Sequence, residues 1–107
     1  MKIDSIGVYY VALPLIYPWR TAYGEDPDIH SVLVKMVSGQ HAGWGETTPL
    51  RAPTYSPETA MSVYHMITEF LAPLLVGREI ETAKDLLDAF KFFKGNPFAK
   101  AGPETAW

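Results

Sequence analysis

Acid–base chemistry needs titratable side chains gathered in one place, and in this 107-residue chain they are sparse. Asp26 and Asp28 flank Pro27, but two acids in a loop are ordinarily a solvated turn, and a calcium loop needs more oxygen ligands at fixed spacing. His30, His41 and His65 are scattered, with neither a His-x-x-x-His pair nor an acid at ligand spacing. His65 and Glu69 have the spacing of a surface contact on one helix flank. Gly43-Trp44-Gly45-Glu46 lacks the third glycine and the lysine of phosphate-binding loops. No nucleophile-elbow motif surrounds Ser5, Ser31, Ser38, Ser56 or Ser62. Lys84, Asp85, Asp88 and Lys91 read as a charged helix face. From the residues alone, no nucleophile, base and orienting group assemble. The pattern is that of a binding or capping module.

Contact chemistry is better represented. Gly39 to Thr59 reads as a short strand, an exposed loop and a helix start. In the strand, Ala42 to Glu46, two glycines flank Trp44; glycine there marks a bulge or a backbone that something approaches closely. Pro49 and Pro53 stiffen the loop Thr47 to Tyr55. Ser56-Pro57-Glu58 reads as N-cap, first-turn proline and first-turn acid. Leu50, Arg51, Thr54 and Tyr55 held at such a junction suit contact with a ligand or another domain, although an ordinary proline-rich connection has the same composition. A second connection, Leu15 to Ile29, carries Tyr17, Trp19, Arg20 and Tyr23, with Gly24 as a hinge or positive-φ position. A loop of that length is either functional or folds back as a satellite aromatic cluster.

Composition narrows the class. Hydrophobic content of 48% with 20% charged residues is that of a globular domain with a modest core. A net charge of -3 offers no basic field, so neither nucleic acid nor an anionic membrane is an expected partner. The absence of cysteine excludes disulfides and thiolate chemistry and fits a reducing cytoplasm, the expected compartment. The N-terminus lacks the apolar run of a signal peptide, and no uncharged stretch is long enough to span a bilayer.

The positioning elements follow from periodicity. Lys2 to Leu13 reads as a strand with both faces apolar, hence expected to be covered on both, and Pro14 and Pro18 are expected to end it. His30 to Val37 is a second strand, joined through Ser38-Gly39-Gln40 to the short third one. From Pro57 the period becomes helical, with Ala60, Val63, Tyr64, Ile67, Phe70, Leu71 and Leu74 on one stripe. Pro73 should end that helix near Ala72. A second helix spans Ile80 to Phe92 with Ala83, Leu86, Leu87 and Phe90 buried and Gly95 placed to terminate it. Asn96-Pro97 starts a third, Phe98 to Trp107, which Pro103 should kink or break. Three strands then three helices predict an α+β fold, a three-stranded antiparallel meander followed by a three-helix bundle. The helical run to Thr105-Ala106-Trp107 shows no terminating signal, and further chain is expected beyond it.

In order and spacing, these features resemble the N-terminal capping domain of the mandelate racemase/muconate lactonising branch of the enolase superfamily. Within it they are most similar to the o-succinylbenzoate synthase/N-acylamino acid racemase group. The resemblance is carried by L-P-L-I-Y-P-W-R-T-A-Y-G at 13 to 24, G-W-G-E at 43 to 46 and A-P-T-Y-S-P-E-T at 52 to 59. P-L-L-V-G at 73 to 77, K-G-N-P-F-A-K-A-G at 94 to 102 and the spacing of Glu104 and Ala106 extend it over essentially the whole chain. Pro103, where the family usually has an aliphatic residue, departs from the pattern, and Arg51 and Trp19 also vary from its commonest forms.

The resemblance implies that residues 1–107 form a cap on a (β/α) barrel that begins where this chain ends. The barrel would hold a divalent metal, normally Mg2+, and the lysines that move a proton α to a carboxylate. This chain would carry no catalytic or metal-binding residue and would be inactive alone. It would select a small carboxylate substrate in an enzyme expected to be a homo-oligomer. By the resemblance, Trp19, Arg20, Leu50 and Tyr55 contact the distal part of that substrate: Arg20 a distal carboxylate or simply a local acid, Trp19 and Tyr55 an acyl or aromatic group. Glu46 matches the family pattern with a structural role. The alternative is a freestanding binding or assembly module that kept the cap fold without catalysis.

Overall fold

Alternation of apolar side chains builds the sheet. Val32, Val34 and Met36 fall on one face of their strand, and all three are buried. The computed structural model of the chain describes residues 1–21, 24–54 and 56–107, the side chains of residues 16–27 lying outside the description. It has strands β1 (Ser5–Thr21), β2 (Gly24–Ser38) and β3 (His41–Thr47) in an antiparallel sheet of order β1-β2-β3. One helical rod follows, comprising α1 (Ala60–Met66), a π-helical turn (Ile67–Leu71) and α2 (Ala72–Leu75). Then come α3 (Ala83–Phe90) and α4 (Pro97–Ala106). The helices cover one face of the sheet. Between the layers lies a single core containing Ile3, Val32, Val34, Val63, Ile67, Leu71, Leu75, Leu86 and Phe90, with Ile6, Val8 and Tyr10 packed against it. The fold is the α+β arrangement of meander and helices that the sequence pattern predicts. Among the described residues no helix is long and apolar enough to cross a membrane.

The expected long connection Leu15 to Ile29 is instead mostly strand. β1 and β2 pair from Ser5↔Val37 to Pro14↔Asp28, the register shifts between Pro14 and Trp19, and pairing resumes through Trp19↔Asp26 to Thr21↔Gly24. Pro14 and Pro18 do not end β1 because it is an edge strand, where a missing N–H can face away from the ladder. The first strand also starts later than expected, at Ser5; Lys2 makes an isolated bridge with Glu79, and Ile3 and Gly77 join across it. On the outer face of the sheet, where cover was expected for the first strand, Tyr9, Leu13, Ile29 and Trp44 are exposed among the described residues.

Both helix-ending expectations from proline are corrected. Pro73 lies inside the first rod, because the preceding π turn lets the Ala72 N–H bond the Ile67 carbonyl and accommodates the proline one residue later. Pro103 lies inside α4, which runs on until the Trp107 N–H bonds the Pro103 carbonyl at 2.9 Å. Its ring is fully buried, and that packing offsets the lost main-chain bond. The rod starts at Thr59 rather than Ser56: Thr59 and Ser62 form a reciprocal capping box, at 3.1 and 2.8 Å. Thr82 and Asp85 do the same for α3, which is shorter than expected, and Leu87 is exposed rather than buried. Gly95 does not terminate α3. With φ of 64°, it turns the chain into α4.

Lys84 and Lys91 both reach Asp88 on α3, at 3.0 and 3.1 Å. Their hydrogen bonds, Lys84 first, hold the Asp88 carboxyl below its ordinary value of 3.8. A group with a depressed folded value contributes stability above its unfolded value and loses it as pH falls through the folded one. The thermal midpoint of wild type should therefore exceed that of Asp88→Asn slightly at neutral pH. The gap should close as the solution is acidified below 3.8 and also at high salt.

Candidate functional site

Glycine spacing positions this region. Gly43 and Gly45 lie on the helix-facing side of β3, and a Cβ on either would run into the α4 backbone, at Ala106 O and at Gly102 O. The glycine pair is thus the close approach its sequence suggests, with α4 lying flat on β3. Trp44 points the other way, 55% exposed, with its ring 6.0 Å from that of Tyr9 and the Lys35 ammonium 5.5 Å from its centroid.

Register then brings the two candidate connections to one end of the sheet. β3 ends where Thr47 pairs Val32, and Val32 also pairs Tyr10. Beyond that line the β1–β2 hairpin continues alone, and the connection after Thr47 leaves the sheet beside it. The backbone of Trp19 lies opposite Asp26 and that of Arg20 opposite Glu25, so a local acid is in register with Arg20. The side chains of Trp19 and Arg20 lie outside the described residues, as does Tyr55. Leu50 alone of the four candidates has a described side chain. It is half-buried at the base of its connection, where its carbonyl accepts from the Ala60 N–H at 3.1 Å. Pro49 beside it is buried, whereas Arg51 and Thr54 are exposed.

Two features at this end escaped the sequence reading. Tyr10 OH and His30 Nδ1 are 2.7 Å apart, and Tyr64 meets the Tyr10 ring edge-on at 6.2 Å. Because Ala12 pairs His30, Tyr10 is its diagonal neighbour on the sheet, a relation visible only once the register is known. Glu58 is the other. It is not a first-turn acid of α1; its carboxylate accepts from the Phe98 N–H at 2.8 Å and the Ala99 N–H at 3.1 Å. These are first-turn amides of α4, whose N-cap residue Asn96 has φ of 58° and makes no capping bond of its own. Nothing within the local sequence points across that separation.

Among the described residues no three His, Asp or Glu side chains come together as a metal ligand set.

The family described as mandelate racemase / muconate lactonizing enzyme, N-terminal domain, matches residues 5–107. The chain is 30% identical to an o-succinylbenzoate synthase of Bacillus subtilis, over 99% of this chain and 29% of that protein. It is 31% identical to an N-succinylamino acid racemase of Amycolatopsis sp, with 99% and 29% covered. The crystal structure of an N-succinyl Arg/Lys racemase from Bacillus cereus superposes with a TM-score of 0.90 at 30% identity, over 99% of this chain and 29% of that one. The chain thus spans less than a third of the length of these relatives.

Proposed function

Because this chain belongs to the mandelate racemase/muconate lactonizing enzyme family through its N-terminal domain, we propose that it is the substrate-selecting cap of an o-succinylbenzoate synthase or N-acylamino acid racemase type of enzyme. The reaction would be proton abstraction α to a carboxylate. Its lysines, and the carboxylates that hold Mg2+, would belong to a barrel domain outside these residues. The observation that carries the reading is the convergence of the two connections at one end of the sheet. There Trp19, Arg20, Leu50 and Tyr55 would meet the distal part of a small carboxylate substrate and exclude water from it. Exposed Leu13, Trp44 and Phe92 favour a surface made to be covered over a freestanding module. The apolar outer sheet face at Leu13 and Trp44 supports self-association of the assembled enzyme.

The test is a domain exchange. Replacing the N-terminal domain of the Bacillus subtilis relative with this chain should restore turnover of o-succinylbenzoate precursor or N-acylamino acids, while residues 1–107 alone should have none. In the active exchange protein, Leu50→Ala should lower kcat/KM about tenfold, mostly through KM, because it removes apolar contact to the distal group. Turnover by the isolated chain, or an unchanged KM, would count against the assignment.

A further inference from the structure

Among the described residues Glu58 is the one buried charge, 7% exposed. Among the described residues the connection it closes is otherwise held by short-range bonds: Thr54 N–H to the Ala52 carbonyl at 2.8 Å, and Glu58 N–H to Ser56 Oγ at 3.1 Å. The Ala60 N–H to Leu50 carbonyl bond pins its base. That last bond ties the connection to α1, and none of these orients it against α4. The Glu58 carboxylate does, with one oxygen on each of two α4 amides.

A local serine or threonine would also cap α4 but would leave the connection untethered. A distant carboxylate does both, and a charged acceptor bonds two amides more firmly than a neutral one. Burial keeps water from replacing it. The circuit closes on itself. β3 leads into the connection, Glu58 binds it to α4, and α4 lies on β3 through Gly43 and Gly45.

We propose that Glu58 is a positioning residue, tying the connection of residues 48–58 to the first turn of α4 and so holding Leu50 in the attitude that meets substrate. The last clause rests on the cap reading above; the tie itself does not.

Amide hydrogen exchange on the whole chain tests the tie. Glu58→Gln keeps the shape but turns one acceptor into a donor facing an N–H. Exchange at Phe98 and Ala99 should quicken about tenfold or more, and exchange at Thr54 and Ala60 should quicken with it. Thr59→Ala, which breaks only the local capping box, should leave Phe98 and Ala99 unchanged. If Phe98 and Ala99 respond while Thr54 and Ala60 do not, Glu58 is a helix cap and nothing more, and the proposal fails. Should Glu58→Gln not fold, wild type decides. In low denaturant the four amides must open as one unit, and independent opening overturns the tie. In the domain-exchange enzyme, Glu58→Gln should raise KM about tenfold with kcat within about twofold, and Glu58→Asp, shorter but charged, should recover part of it. Loss of kcat at constant KM would overturn positioning. If the exchange enzyme is inactive with Glu58 intact, the functional reading falls, and the hydrogen-exchange result still decides the tie.

Discussion

Gly45→Ala is expected to remove about 3 kcal/mol or more of folding stability, although it adds a single methyl to a strand. The added Cβ would overlap Gly102 O, approach Ala106 N to 2.7 Å and stand 3.2 Å from Thr105 Cβ. Two of those three are backbone atoms, which cannot rotate aside as a side-chain end can. Relief requires α4 to lift from β3, and lifting it opens the core at Ala99, Pro103 and Ala106, all buried. A domain of this size holds about 5–15 kcal/mol in total, so the loss is a large share of it. A urea titration measures it: the midpoint should drop sharply with an unchanged slope. A midpoint equal to wild type would mean that α4 does not lie on the strand as described.

Phe90→Ala should cost about 3–5 kcal/mol, the range for deleting a large buried aromatic ring. Phe90 is 1% exposed and is among the largest fully buried side chains of the described residues. It carries unusual weight because α3 is only 8 residues long. A helix so short has little stability of its own in water and depends on its docked face. That face is Leu86 and Phe90, since Ala83 and Leu87 are exposed. With the ring gone, α3 should lose amide protection ahead of the sheet, readable by hydrogen exchange alongside the urea midpoint. A loss under about 1 kcal/mol would show that Leu86 and the neighbouring segments hold α3 without it.

Legibility in the sequence followed the range of the interactions. The alternation of Val32, Val34 and Met36 and the helical stripe through Ala60, Val63, Ile67 and Leu71 are local patterns, and they marked the core correctly, whereas Phe70 of that stripe is exposed. Gly43 and Gly45, two residues apart, signalled that something presses on one face of β3; that it is α4 depends on packing no local pattern encodes. The prolines misled in three places for one reason. Their cost is a missing N–H, and an edge strand, a π turn and a well-packed helix each supply a setting where that loss is tolerated. Glu58 read locally as a first-turn acid, whereas its partners stand in a helix far along the chain. Of the candidate contacts, Leu50 sits at a loop base pinned by the Ala60 N–H.

The π turn between Ile67 and Leu71 bears on how this chain should be set beside its kin. Each residue of an ordinary helix advances the winding by about 100°. One residue more or fewer here changes how the rod is wound without removing any of it. Among proteins sharing the fold, a single-residue gap just before Pro73 is therefore a change of pitch rather than a lost piece. Matching by residue count across it would set Leu75 against a solvent-facing neighbour. Matching by inward face would keep Leu71 and Leu75 with their true counterparts.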